Sequence, residues 1–155
     1  MELGLCIETV FGTLPLTDRL QKAADAGFRA VEMWFVDGSF KGNPDALAAA
    51  AAKAGVRITN TVIGSPDGRV GGGLTNPANR EQWLARTRFT LDFTRAAGIP
   101  ATIVCTGNGV PGMTDRQMFK SVVEGLKPTV DLAEAAGITL LLEPLNTRYD
   151  HAGYW

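Results

Sequence analysis

Residues 133–144 read AEAAGITLLLEP. An Ala-rich helix end meets Gly137, the residue type that best tolerates the left-handed conformation of a helix C-cap. A short apolar run with a β-branched start follows, as in a strand buried on both faces. It ends on a carboxylate, Glu143, and then on Pro144, which lacks a backbone donor and stops regular pairing. A strand that carries a carboxylate to its tip directs it towards something to bind, because an unpaired carboxylate in an apolar setting is costly.

The same grammar occurs three times upstream: AADAGFRAVEMWF (23–35), AAKAGVRITNTVI (51–63) and RAAGIPATIVC (95–105). Each joins a helix end to a strand through a glycine, namely Gly27, Gly55 and Gly98. The spacing is irregular, so these are successive αβ units with loops of different length, not a solenoid repeat. With LGLCIE (3–8) as a first strand, the order is β-α-β-α-β-α-β-α-β, or five parallel strands with helical crossovers. Thr17 is read as N-cap of the first helix, Asn43 with Pro44 as the start of the second, and Thr114 as N-cap of the fourth. Pro128 predicts a kink or break in that last helix.

Side-chain alternation separates the two faces of each strand. Leu3, Leu5 and Ile7 share one face, as do Val31, Met33 and Phe35, and Ile138, Leu140 and Leu142. The opposite face is mixed and carries Glu8, Glu32 and Glu143 in the three strands. A doubly wound sheet is covered by helices on both sides, so both faces should be apolar. The asymmetry favours a (β/α)8 barrel, whose polar groups gather at the C-terminal mouth of the strands.

Composition narrows the function classes. A net charge of −1 with no Lys/Arg-rich run argues against a nucleic-acid partner or an anionic membrane surface. No apolar stretch approaches the roughly 20 residues of a membrane helix. The start, MELGLCIETVF, lacks the order of a secretory signal. Cys6 and Cys105 lie in apolar runs without CxxC spacing, as expected of small buried residues in a reducing, cytoplasmic compartment.

The final segment, LLLEPLNTRYDHAGYW, resembles the region after the fifth strand in the hydroxypyruvate isomerase branch of the xylose isomerase-like TIM-barrel superfamily. AGFRAVEMWF resembles the second-strand region of that branch, and VCTGNGVPGM a loop after its fourth strand. The resemblance implies a metal-dependent isomerase or epimerase acting on a small ketose or hydroxy-keto acid. It implies that Glu143 binds a divalent ion, Mg or Mn, and moves a proton, and that Asn146 and Arg148 support the metal ligand or the substrate. The family's remaining metal ligands lie on later strands, so a complete metal site is not expected in these residues. A complete barrel needs at least about 200 residues. The 155 residues therefore read as the N-terminal portion of one barrel (1–155). That portion is expected to be inactive alone and to self-associate, or to need a C-terminal half. A non-catalytic half-barrel that assembles with another chain is the alternative; an abasic-site endonuclease would need basic loops that are lacking.

Other residues keep two readings. Glu32 is a substrate contact or a structural partner, Trp34 an apolar wall for a polyol or core, and Asn60 a hydroxyl-binding amide or a turn residue. Glu8 starts a solvated loop or joins the mouth. His151 is read as a loop residue and not as a ligand. The Gly-rich loop 64–77 matches no phosphate-binding motif and is a flap or a surface loop.

Overall fold

The computed structural model describes residues 2–36 and 42–155. The elements are β1 (Gly4–Cys6), α1 (Ile7–Phe11), α2 (Leu16–Asp25), β2 (Ala30–Glu32), α3 (Pro44–Ala54), β3 (Arg57–Ile58), β4 (Thr61–Val62), α4 (Arg80–Ala96), β5 (Ala101–Val104), α5 (Asp115–Ala136) and β6 (Thr139–Leu142). A single 3-10 turn, Pro77–Asn79, leads into α4. All strand pairings are parallel, in the orders β1-β2-β3 and β4-β5-β6. Strands therefore neighbour one another in chain order, with no reversal of the kind that marks a doubly wound sheet. This is the arrangement of an incomplete (β/α)8 barrel.

Among the described residues there are six strands where five are expected, because the third strand is interrupted between β3 and β4. The hydrogen bonds explain why. Thr59 N donates to Val31 O and Val62 N to Trp34 O, so bonded residues step by three on both strands where a regular ladder steps by two. Met33 N donates to Asn60 O between them. Each strand holds one extra residue, a matched pair of bulges that reverses side-chain parity beyond it. Hence Phe35, expected on the helix-covered face, packs instead with Val62, Ile103 and Cys105. Val36 takes the helix side among Val31, Met33, Leu20 and Leu47.

The helices cover the face that alternation assigns to them. α2 and α3 pack Leu16, Leu20, Leu47 and Ala51 against Val31, Met33 and Ile58. α4 and α5 place Trp83 and Val122 against Ile63 and Val104. Between α4 and the sheet sits a buried polar bridge: the Thr61 hydroxyl bonds Thr102 at 2.9 Å and Thr94 at 2.8 Å. Gly27, Gly55, Gly98 and Gly137 all adopt positive φ, as the helix-end reading requires. Asn43 accepts from Ala46 N, and Thr114 forms a capping box with Gln117.

Three local readings are corrected. The N-cap of α2 is Pro15, and Thr17 lies inside the first turn; Pro15 presets the entry backbone, so no side-chain cap is used. Pro128 does not break α5, which runs without interruption from Asp115 to Ala136. There the Thr129 hydroxyl donates to Gly125 O and accepts the Trp83 indole N–H, tying the turn around the proline to α4. Finally β1 ends at Cys6, and Glu8 lies in the first turn of α1, neither at a strand tip nor in a solvated loop.

The edge strands carry apolar surface. Leu141 and Leu142 on β6 are 42% and 58% exposed, and Leu3 before β1 is 66% exposed.

Loop 64–77 is docked, not a free flap. Thr75 N donates to Thr106 O, and the Thr75 hydroxyl to Asn108 O. The approach needs glycine at 107: Gly107 has φ of +108°, and a Cβ there would lie 2.7 Å from Gly73 Cα. Gly107→Ala should therefore cost about 1–3 kcal/mol, read as a lower urea midpoint at unchanged slope. An unchanged midpoint would show that the two loops do not depend on this contact.

Candidate active site

The site is built around the residue that follows β6. Glu143 N donates to Val104 O at 3.1 Å, extending the β5–β6 ladder by one bond. Glu143 O accepts from the Tyr154 hydroxyl at 2.9 Å. Both backbone groups are thus held, and the half-buried side chain is left to face a cavity of about 740 Å³. Trp34 and Phe35 form one wall, delivered there by the bulge after β2; Asp67 and Arg69 come from the Gly-rich loop, and Asp150 and His151 from the last loop.

Tyr154 does more than meet Glu143. Its hydroxyl also accepts from Thr106 N at 2.8 Å. The chain around it is strapped to the loop after β5: Gly109 N donates to Gly153 O, Trp155 N to Gly107 O, and the Trp155 indole to Asp115. Burial raises the Tyr154 hydroxyl above its ordinary pKa, opposed by its bonds to Thr106.

Next to the carboxylate lies Cys105, with its sulfur 3.9 Å from Glu143 Oε2. Burial first, and then the Glu143 charge, push its thiol up to about 12, so it remains a neutral thiol and not a nucleophile. Asp67 is the reverse case. The Ser65 hydroxyl, the Arg69 backbone N–H and the Arg69 side chain hold its carboxyl down at about 2.

The other sequence candidates fall in different places. Trp34 lines the cavity and is 41% exposed. Glu32 and Asn60 are bonded to each other, Nδ2 to Oε2 at 3.5 Å, and the Asn60 amide oxygen also takes the Thr59 hydroxyl. Neither residue lines the cavity. Asn146 turns its amide oxygen back on Arg148 N and Tyr149 N, shaping its own loop. Arg148 lies over the Tyr149 ring at 5.4 Å and does not line the cavity. Glu8 takes the Trp34 backbone N–H at 3.1 Å, holding the bulged segment in place. Its second oxygen is buried with no hydrogen-bond partner among the described residues, and burial raises its pKa, with the Glu32 charge adding to the shift. Sequence reading passed over Tyr154, Asp67 and Arg69. Only the SPDGR turn at 65–69, with an acid and a base two residues apart, gave any signal for the last two.

Among the described residues no group of three His, Cys, Asp or Glu side chains is placed to hold a metal ion. Glu143 offers a hard oxygen donor, but these residues do not form a metal site by themselves.

Tyr154→Phe leaves the buried Thr106 N–H without its acceptor and frees the Glu143 carbonyl. The expected loss is about 1–3 kcal/mol of stability by urea denaturation, with amide shifts concentrated at Thr106 and Glu143. Wild-type stability in this variant would show that the strap does not hold Glu143.

The family model described as xylose isomerase-like TIM barrel matches residues 20–154. A Streptomyces coelicolor protein named "Putative hydroxypyruvate isomerase" is 33% identical over 147 residues, covering 90% of this chain and 53% of that protein. The Escherichia coli hydroxypyruvate isomerase is 25% identical, covering 96% of this chain and 57% of its own length. The chain thus spans about half the length of the curated relatives it matches. Among solved structures, a family 2 AP endonuclease from Brucella melitensis superposes with a TM-score of 0.82 at 23% identity, over 99% of this chain and 59% of that one. A D-psicose 3-epimerase from Clostridium cellulolyticum superposes at 0.78 and 18% identity, over 97% and 55% of the respective chains. These two likenesses speak to the fold. With the sequential parallel strands, the helix-covered outer face and the carboxylate at the mouth, the match over residues 20–154 shows that the chain belongs to the xylose isomerase-like TIM-barrel family.

Proposed function

We propose that the chain is the N-terminal portion of an isomerase barrel acting on a small hydroxy-keto acid of the hydroxypyruvate type, with Glu143 as its acid–base residue. The observation that carries this reading is the placement of Glu143 at the end of β6, its backbone held on both sides and its carboxylate on a cavity large enough for such a substrate. Relatives named hydroxypyruvate isomerase support the substrate class.

The chemistry asked of Glu143 is modest. The carbon next to the carbonyl of a 2-keto-3-hydroxy acid is a weak acid. Glu143 takes a proton from that carbon, the C–H electron pair forms the C=C bond of an enediolate, and the carbonyl oxygen receives the charge. The C3 hydroxyl proton passes to the C2 oxygen as the C3–O bond becomes a carbonyl, and the carbon proton returns to C2, which gives the aldehyde isomer with atoms and electrons conserved. Trp34 and Phe35 keep one side of the cavity apolar. A divalent ion such as Mg or Mn, with Glu143 as one ligand, supplies charge stabilisation at the carbonyl oxygen when bound. The described residues contribute one carboxylate to such a site, so turnover depends on ligands from beyond them.

The exposed leucines of β6 support a partner along that edge, either further strands of the same barrel or another copy of the chain. The free thiols Cys6 and Cys105 fit a cytoplasmic setting, and no described helix is long and apolar enough to cross a membrane. The net charge of −1 does not favour a nucleic-acid substrate.

The 155-residue chain should bind hydroxypyruvate with amide shifts confined to the cavity lining. Any exchange of the substrate's C3 protons that it supports in D2O with Mg2+ should fall at least about 100-fold in Glu143→Gln. Absence of binding, or exchange that survives the substitution, contradicts the reading.

A further inference from the structure

An acidic substrate entering this cavity meets the carboxylates of Glu143 and Asp150, which repel it, and that of Asp67, which is paired with Arg69. It therefore needs a cation that the substrate can reach. Arg148 carries that expectation in the sequence, yet its guanidinium is stacked over the Tyr149 ring, which lines the cavity while Arg148 itself does not. Among the described residues lining the cavity, Arg69 is the one guanidinium.

Arg69 is also built for the task. The Ser65 hydroxyl donates to Asp67 at 2.6 Å and accepts from Val70 N at 2.8 Å, while Ser65 N donates to Val70 O. This closed turn fixes Asp67, which takes the Arg69 backbone N–H at 3.0 Å and its Nε–H. A guanidinium held by Nε keeps its two Nη groups for another partner, and that pair matches the two oxygens of a carboxylate. Its side chain is 88% exposed at the rim, so an incoming ligand reaches it. The turn is anchored in turn by the Gly73–Gly107 contact, so the position of Arg69 is set by the docked loop.

We infer that Arg69 is the specificity-determining residue that binds the substrate carboxylate, and that Arg148 is not. The inference rests on the isomerase reading and names the group in that site which selects an acid over a neutral ketose.

The test measures binding of hydroxypyruvate and of dihydroxyacetone, its neutral counterpart, to the whole chain by NMR titration. Wild-type chain should prefer the acid. Arg69→Gln should weaken hydroxypyruvate binding roughly ten-fold and leave dihydroxyacetone binding unchanged, as expected for loss of a charge-assisted pair. Arg69→Lys should recover part of the preference, and Arg148→Gln should retain all of it. An unchanged preference in Arg69→Gln, or its loss in Arg148→Gln, overturns the assignment while leaving the isomerase reading intact. Wild-type chain that binds neither ligand contradicts the isomerase reading and the inference with it; a preference for dihydroxyacetone overturns the inference alone. An equal loss for both ligands in Arg69→Gln points to a purely structural role and also overturns it.

Discussion

The two backbone bonds of Glu143 are the constraint on which the site depends. Its N–H belongs to the parallel ladder with β5, and its carbonyl belongs to Tyr154. The first bond exists only because α5 carries the chain back across the sheet to lay β6 beside β5. The second exists only because the segment after Pro144 returns to the loop that follows β5. A carboxylate on a flexible loop would sample many directions, and holding it from both sides removes that freedom before a ligand arrives.

The same logic reaches the opposite wall. Matched bulges in the second and third strands reverse side-chain parity and turn Phe35 into the cavity. Glu8 stabilises that irregular backbone by taking the Trp34 N–H. Burial raises the Glu8 pKa, the Trp34 N–H it accepts opposes the rise, and the nearby Glu32 charge adds to it. Glu8 thus acts on the backbone of the wall, whereas Glu143 faces the cavity.

Local and periodic features were legible in the sequence. The glycines at helix ends, the caps at Asn43 and Thr114, the parallel order and the helix-covered face all follow from short-range chemistry. The strand-tip position of Glu143 followed from three leucines and a proline. What was not legible depends on contacts between distant segments. A bulge in one strand is compensated by a bulge in its neighbour, so neither disturbs the apolar pattern enough to be seen, and the side assigned to Phe35 was wrong for that reason. Pro128 reads as a helix breaker in isolation, but α5 is held by its packing and by the Trp83–Thr129–Gly125 bonds. Tyr154 and Arg69 acquire their positions from loops that meet only in the folded chain. Asn146 and Arg148 looked like site residues because they follow Glu143 in sequence, yet after Pro144 the chain turns and they serve their own loop.

Glu143 differs from Glu8 and Glu32, which share its strand face in the sequence, in that its carboxylate lines the cavity. Side-chain carboxyl carbon NMR, recorded while hydroxypyruvate and Mg2+ are added to the chain, separates them directly. The Glu143 carboxyl resonance should move with ligand while those of Glu8 and Glu32 stay in place. A stationary Glu143 resonance, or a response at Glu8 or Glu32 in its stead, would contradict it.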